Sequence, residues 1–516
     1  MRFWQRLFAK RSPELHAYNI DDQNICTDIR KNIKAISTIF KNCSDLNIRE
    51  IKTDDKGSSN VAVISIDGLT DKPTLYDGVL KSTMIETDVY GAQLFEELKD
   101  RILPNSKVNE LKNFSEVLHH ILSGDAVIFV NGINKALSCD TKGWETRAVE
   151  EPDSEATVRG PREGFIETLR VNTSLIRRKI KSPKLKMESL FIGDYSHTEI
   201  NIAYIDGIVD PDILKEVKSR LSGIDTDCIL ESGYIEEFIE DAPFSPFPTI
   251  FHSEKPDKIA ANLLEGSVAI ITDGTPFVLT VPATFWNFMN ASDDYYERYS
   301  VANIIRILRL LGFILSLLLP GLYIAITTYH QEFLPTAMLI SIAGSRVNVP
   351  FPPLVEALLM EFTFEALREA GIRLPKQIGQ TISIVGALVL GQAAVSASLV
   401  SPAMVIVVAI TAISSFVTPS YNLAIANRIL RFILMVLGGM LGLFGVVLGF
   451  LCILIHMESL RSFGIPYLYP VPPLVVEDLK DTFLRAPWWY MHTRPAFTTV
   501  NKKRMADDLK PKTPRG

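Results

Sequence analysis

Cysteine is scarce and unpatterned in this chain: five among 516 residues (Cys26, Cys43, Cys139, Cys228, Cys452), an odd number with no C-x-x-C spacing. Neither a disulfide framework nor a cysteine zinc site is suggested, which suits a reducing compartment for the polar part. No H-E-x-x-H, G-x-x-x-x-G-K-[S/T] or G-x-G-x-x-G occurs, and no nucleophile and base share a motif. An enzyme is disfavoured, and no cofactor or metal is expected. Charge of one sign is also missing: 53 basic against 59 acidic residues leave −6, which points to no nucleic-acid partner. The N-terminus, MRFWQRLFAKRS, lacks the apolar run of a signal peptide. Its Phe3, Trp4, Leu7 and Phe8 suit a short interfacial helix or, the preferred reading, an ordinary surface terminus.

What the chain does have is asymmetry. Roughly the first 290 residues are polar and charged, and 301–457 is almost continuously apolar. A soluble head joined to a cluster of hydrophobic segments reads as an integral membrane protein.

The head carries an internal repeat. VAVISIDGLTDKPTLYDGVL at 61–80 resembles INIAYIDGIVDPDILKEVKS at 200–219, and LHHILSGDAVIFVNGINKALS at 118–138 resembles ANLLEGSVAIITDGTPFVLT at 261–280. The short β-branched runs read as strands, and the Asp-Gly and Asn-Gly pairs read as turns rather than metal or phosphate sites. The expected fold is therefore an α/β head of two related subdomains, 20–140 and 165–290, after an N-terminal tail 1–19. A charged, Gly/Pro-rich linker, 141–164, would join them.

An all-α polytopic membrane domain, 301–457, follows in this reading. Residues 310–327, 380–400, 402–418 and 430–456 are each long enough to cross a hydrocarbon layer of roughly 30 Å. The stretch 333–370 reads as a half-length or re-entrant segment plus an amphipathic helix, and 458–516 as a polar C-terminal tail. Four spans return both termini to one side. Arg298, Arg306 and Arg309 before the first span, and the basic tail, make that side cytoplasmic.

Helical projection gives the 380–400 span two faces. Ser383, Ala387, Gly391, Ala394 and Ser398 form a small-residue face suited to close helix packing. Thr381, Val385, Val389, Gln392 and Ser396 form a face that suits either a narrow pore gated by dewetting or hydrogen bonding to another helix. On 354–370, Glu361, Glu365, Arg368 and Glu369 read as a solvated or headgroup-facing stripe. Glu356, on the other face, is an intramembrane ionisable residue that marks an ion path or pairs with Arg346 or Arg373.

The phrases GPREGFIETLRVNTSLIRRKI, ILESGYIEEFIEDAPFSPFPTI, DGTPFVLTVPATFWNFMNASDDYYERY, VPFPPLVEALLMEFTFEALREAGIRLP and QTISIVGALVLGQAAVSASLVSP resemble the A subunit of GerA-type spore germination receptors, over about 160–475. The resemblance implies a protein of the inner spore membrane with a cytoplasmic head and tail, acting with a transporter-like B subunit and a lipoprotein C subunit. The B subunit chiefly recognises the nutrient. It further implies a homo-oligomer, a pentamer, that forms a channel releasing monovalent cations. The 380–400 span is carried over as pore-forming; its lining residues rest on the projection alone. The alternatives are a paralogous spore membrane protein supporting dipicolinate release and a small-solute or ion transporter.

Overall fold

The computed structural model describes residues 24–52, 59–80, 92–101, 108–143, 155, 159–373, 391–506 and 509–511. Its head holds two five-stranded antiparallel sheets. The first comprises β1 (Leu46–Lys52), β2 (Ser59–Ile66), β3 (Val108–Leu111), β4 (Ala126–Val130) and β5 (Ala136–Cys139), in the order β1-β2-β4-β5-β3. The second comprises β6 (Leu185–Ile192), β7 (Thr198–Ile205), β8 (Phe251–Ser253), β9 (Val268–Thr272) and β10 (Val278–Val281), in the equivalent order β6-β7-β9-β10-β8.

Helices cover both faces of each sheet. On the first, α1 (Ile29–Ile39) and α3 (Phe114–Leu122) pack on one face and α2 (Ala92–Arg101) on the other. On the second, α4 (Leu169–Lys179) and α7 (Pro256–Leu264) oppose α5 (Pro211–Ser222) and α6 (Ser232–Ile239). The central strands AVIFV and VAIIT are buried at every position, which is why they are apolar without alternation.

Small polar details recur between the units. Asn32 clasps the backbone of Cys26 through both its side-chain atoms, and Asn172 does the same to Ile166. Gly68 and Gly207 follow the aspartates of the first turns with φ of 85° and 78°, and Gly132 and Gly274 close the later hairpins at 90° and 89°. Those dihedrals are strained for any residue with a Cβ, so the glycines are required by the turn.

The units are locked together by a buried ion pair. Arg177 on α4 donates to Asp45 from Nη2 at 2.7 and 2.9 Å and from Nε at 3.0 Å. Both side chains are almost wholly buried, at 0% and 3% exposure. Beside them Ser44 N donates to Met187 O at 2.8 Å, extending the second sheet's edge onto the first unit.

The apolar half is a helical unit standing on the second subdomain. After α8 (Phe285–Met289) it contains α9 (Tyr299–Tyr329), α10 (Thr336–Arg346), α11 (Pro353–Arg373), α12 (Gly391–Ser396), α13 (Pro402–Phe416) and α14 (Tyr421–Ser459). By length and composition, α9 and α14 can cross a membrane. The 310–327 stretch lies within α9. The 402–418 stretch is α13, only 15 residues and about 22 Å long.

One expected span changes shape. The 430–456 stretch is not a single rod, because Gly442 (φ 65°, ψ −148°) reverses the chain inside α14. Gly445 then faces Leu437, and Gly449 faces Leu434 and Leu437. The two arms, 421–441 and 443–459, form a tight hairpin. Glycines at 438, 442, 445 and 449 remove the side chains that would hold such arms apart.

Contacts along the helices fix their directions. Asn427 reaches Phe313 and Ser316 near the head, whereas Tyr329 donates to Gly439 O and Met440 O at the far end, so α9 and the first arm of α14 run side by side. Helix α11 runs back, from Leu354 against Gly439 to Arg368 against Ser415. Helix α13 follows the same return direction, from Ser401 beside Glu356 to Ser414 beside Gly312. The second arm of α14 ends at the head, where Ser245 Oγ and His456 Nε2 are 2.8 Å apart.

The expected polar tail is also corrected. Residues 460–500 fold back on the second subdomain: Tyr467, wholly buried, sits among Phe247, Phe285 and Phe288. Thr498 O accepts from Asp210 N at 3.2 Å, and Val500 N donates to Ile208 O at 2.9 Å. Its buried aromatic side chains help anchor it there.

Removing one partner of the Asp45 pair tests the lock between subdomains. Arg177→Met leaves a buried carboxylate unpaired and should cost about 3 to 5 kcal/mol. It should lower the unfolding temperature of the detergent-solubilised full chain, and adding Asp45→Leu should recover most of the loss.

Candidate functional site

Charged groups inside the helical unit are the candidates, since burying ions away from water is costly unless they are paired. They form three groups.

The first is a collar where the chain leaves the head. Asp294, 2% exposed, accepts from Arg306 Nε at 3.1 Å and from Arg309 Nη1 and Nη2 at 2.8 and 3.1 Å. Arg306 Nη1 also donates to Asp481 at 2.8 Å, and Arg485 Nη1 donates to the Asp294 carbonyl at 2.9 Å. Burial pushes the Asp481 carboxyl up to about 6 in spite of Arg306 beside it. Arg306 and Arg309, taken from the sequence as topology signals, are thus buried structural partners of the neck and the C-terminal segment.

The second is Glu356, buried at 0% exposure. Its Oε1 lies 3.1 Å from Arg346 Nη2, and its Oε2 accepts from Ser401 N and Ser401 Oγ, each at 2.9 Å. Of the two arginines considered from the sequence, Arg346 is the one that meets it. The carboxylate pins the start of α13 to α10 and α11.

The third corrects the expected solvated stripe on α11. Glu361 is wholly buried, 3.2 Å from Arg431 Nη2, and Glu365 accepts from Arg428 at 2.9 Å, Arg431 at 3.1 Å and Arg368 at 3.3 Å. Arg368 also donates to Ser415 Oγ at 2.8 Å and lies 4.9 Å from the ring centres of Phe364 and Phe416. The network therefore joins α11, α13 and the first arm of α14. Arg428 and Arg431, three apart at the entry to an apolar helix, were the missed signal.

Of the residues projected onto two faces of the 380–400 stretch, Thr381, Ser383, Val385, Ala387 and Val389 lie outside the described residues. Within α12, Gly391 is buried against Val405 of α13, whereas Gln392 and Ser396 are exposed and Ala394 is half-buried. Ser398 leaves the helix with φ 54°, so the projection does not extend to it. Among the described residues no group of three or more His, Cys, Asp or Glu could hold a metal ion.

A sequence model described as Bacillus/Clostridium GerA spore germination protein matches residues 34–497. The chain belongs to the GerA family of spore germination proteins. It is 46% identical to spore germination protein KA of Bacillus subtilis over 94% of this chain and 90% of that one. It is 41% identical to spore germination protein GerLA of Bacillus cereus over 88% and 92% of the two chains. Among solved structures, the N-terminal domain of the A subunit of the Bacillus megaterium spore germinant receptor GerK3 covers 51% of this chain and 98% of its own, at 35% identity and a TM-score of 0.41. Family membership agrees with the motifs quoted from 160–475.

Breaking the third group should loosen the helical unit. Glu365→Gln leaves three arginines short of their shared carboxylate and should destabilise the chain by about 3 to 5 kcal/mol. Glu458→Gln, at an exposed position of α14, should stay within about 0.5 kcal/mol. Thermal unfolding in detergent compares the two.

Proposed function

We propose that this chain is the A subunit of a nutrient-germinant receptor of the inner spore membrane, acting with a transporter-like B subunit and a lipoprotein C subunit. Several copies, five in this reading, close into a ring whose centre conducts monovalent cations when germinant binds. The head and the C-terminal segment lie on the cytoplasmic side.

The observation that carries the reading is the placement of α12: Gly391 is buried against Val405 of α13, while Gln392 and Ser396 face outward from the single chain. A polar helix face left bare beside apolar helices calls for water or another polar helix. In a ring it meets its own copies around an aqueous axis, with Thr381, Val385 and Val389 continuing the lining. The exposure of Phe444, Val447, Leu451 and Ile455 on α14 and of Ile406 and Ile413 on α13 supports lipid contact elsewhere.

Gating needs a ligand that binds open and closed rings unequally. Helix α11 leads into the segment before α12, and Glu361 and Glu365 tie it to α14. A displacement of α14 by a partner would reach the lining through that helix.

Reconstitution of the purified chain in liposomes tests the reading by cation efflux. Val385→Ala or Val389→Ala should raise basal leak, and Phe at either position should abolish it; unchanged flux in all four would remove these valines from a pore. Cysteines at 392 and 396 should react with a water-soluble thiol reagent, whereas a cysteine at 391 should be protected. Equal protection at all three would favour helix packing over a lining.

A further inference from the structure

A cavity of about 500 Å³ lies at the seam between the head and the returning C-terminal segment, a volume suited to a small organic molecule. Three stretches build it: α7 of the second subdomain, the neck 284–296, and residues 469–504. It lies beside the collar, since Tyr295 and Asp481 belong to both. Trp286, Tyr296, Tyr469 and Met491 supply much of its wall.

The charged groups of the lining differ in what they have left to offer. Glu265 is held by Arg504 at 2.5 Å, and Asp481 has one oxygen on Tyr295 and the other on Arg306. The cations are engaged as well: Lys258 lies 3.7 Å from Glu155, Lys480 donates to Thr493 Oγ1, and Arg494 Nε donates to Leu264 O at 2.8 Å. Asp257 differs. Its Oδ2 accepts from the Tyr296 hydroxyl, but its Oδ1 is buried without a hydrogen-bond partner. A buried carboxylate oxygen without a donor is costly, and an ammonium group in an aromatic-walled cavity relieves it.

We propose that this cavity is a binding site for a small organic cation, an amine with an apolar body, whose ammonium donates to Asp257 and whose body packs on the rings of Trp286, Tyr296 and Tyr469. The occupant would bridge head, neck and C-terminal segment, and so hold the base of α9 in its docked position. The site is distinct from the pore face on α12 and does not depend on the channel reading.

The test uses the full chain in detergent, with intrinsic tryptophan fluorescence and unfolding temperature as readouts. Benzylamine should give a saturable change with a Kd on the order of 1 mM or tighter, and should raise the unfolding temperature. Benzyl alcohol, of the same shape but neutral, controls for partition into detergent and should bind at least tenfold more weakly, as should benzoate. Asp257→Asn should weaken benzylamine about tenfold or more while leaving benzyl alcohol unchanged. Ala261→Phe, at an exposed position of α7 that lines the cavity, should block benzylamine without touching Asp257. Benzoate binding as tightly as benzylamine, equal binding of benzylamine and benzyl alcohol, or unaltered benzylamine affinity in Asp257→Asn would each overturn the proposal. The wild-type ranking of the three probes decides the matter even if a variant fails to fold.

Discussion

The carboxylate of Asp294 is the point on which the arrangement of the two halves depends. It is buried, and it neutralises two arginines of α9 that are themselves buried at 4% and 6% exposure. Taking any one of the three out of the set leaves a charge in a place from which water is excluded, a penalty of several kcal/mol. Arg306 passes the constraint to Asp481, and Arg485 returns it to the Asp294 backbone, so neck, first long helix and C-terminal segment move as one body. This is also why the segment after residue 460 returns to the head instead of trailing into solvent. Its aspartate and arginine complete the charge balance, and Tyr467 fills the aromatic cluster beneath.

From the collar outward, close backbone approach replaces charge. A Cβ at Gly438 would lie 2.7 Å from Gly321 O, so α9 and the first arm of α14 meet with no side chain between them. Asn427 bonds across the same interface. Contacts of that kind transmit translation with little slack, in contrast to a layer of flexible leucines. The hairpin at Gly442 then brings the second arm down the other side and closes the unit on the head.

The head was legible because its information is local. Asp-Gly and Asn-Gly pairs mark turns whose positive φ only glycine meets cheaply, and the runs AVIFV and VAIIT announce strands buried on both faces. The duplicated order of these marks foreshadowed two sheets of equal topology. In the helical half, composition carries length and not direction. A window average over 430–456 counts apolar residues and is blind to one φ of 65° at Gly442. The stripe of Glu361 and Glu365 looked solvated because its partners, Arg428 and Arg431, lie more than sixty residues away on a helix read as apolar. The C-terminal segment was misjudged for the same reason: its few buried aromatics act over long range, while its many charges dominate composition.

The internal network carries three arginines and two glutamates, and its asymmetry has a consequence for motion. Glu365 is shared among Arg368, Arg428 and Arg431, while Glu361 meets Arg431 alone. A slide of α11 by one helical turn would carry Glu361 to the height now held by Glu365, because the two stand four residues apart on one face. Arg428 and Arg431 on α14 would then keep a carboxylate between them in both positions while Arg368 travels with α11, so the two registers differ by exchange of partners and not by loss of all of them. Paired carboxylates at i, i+4 facing the arginine pair of α14 are therefore a physical basis for a two-position element. Glu356, bonded to both hydrogen-bonding groups of Ser401, opposes such a slide from the far end. Glu356 at one end and the Glu361 and Glu365 pair toward the other thus both hold the register of α11.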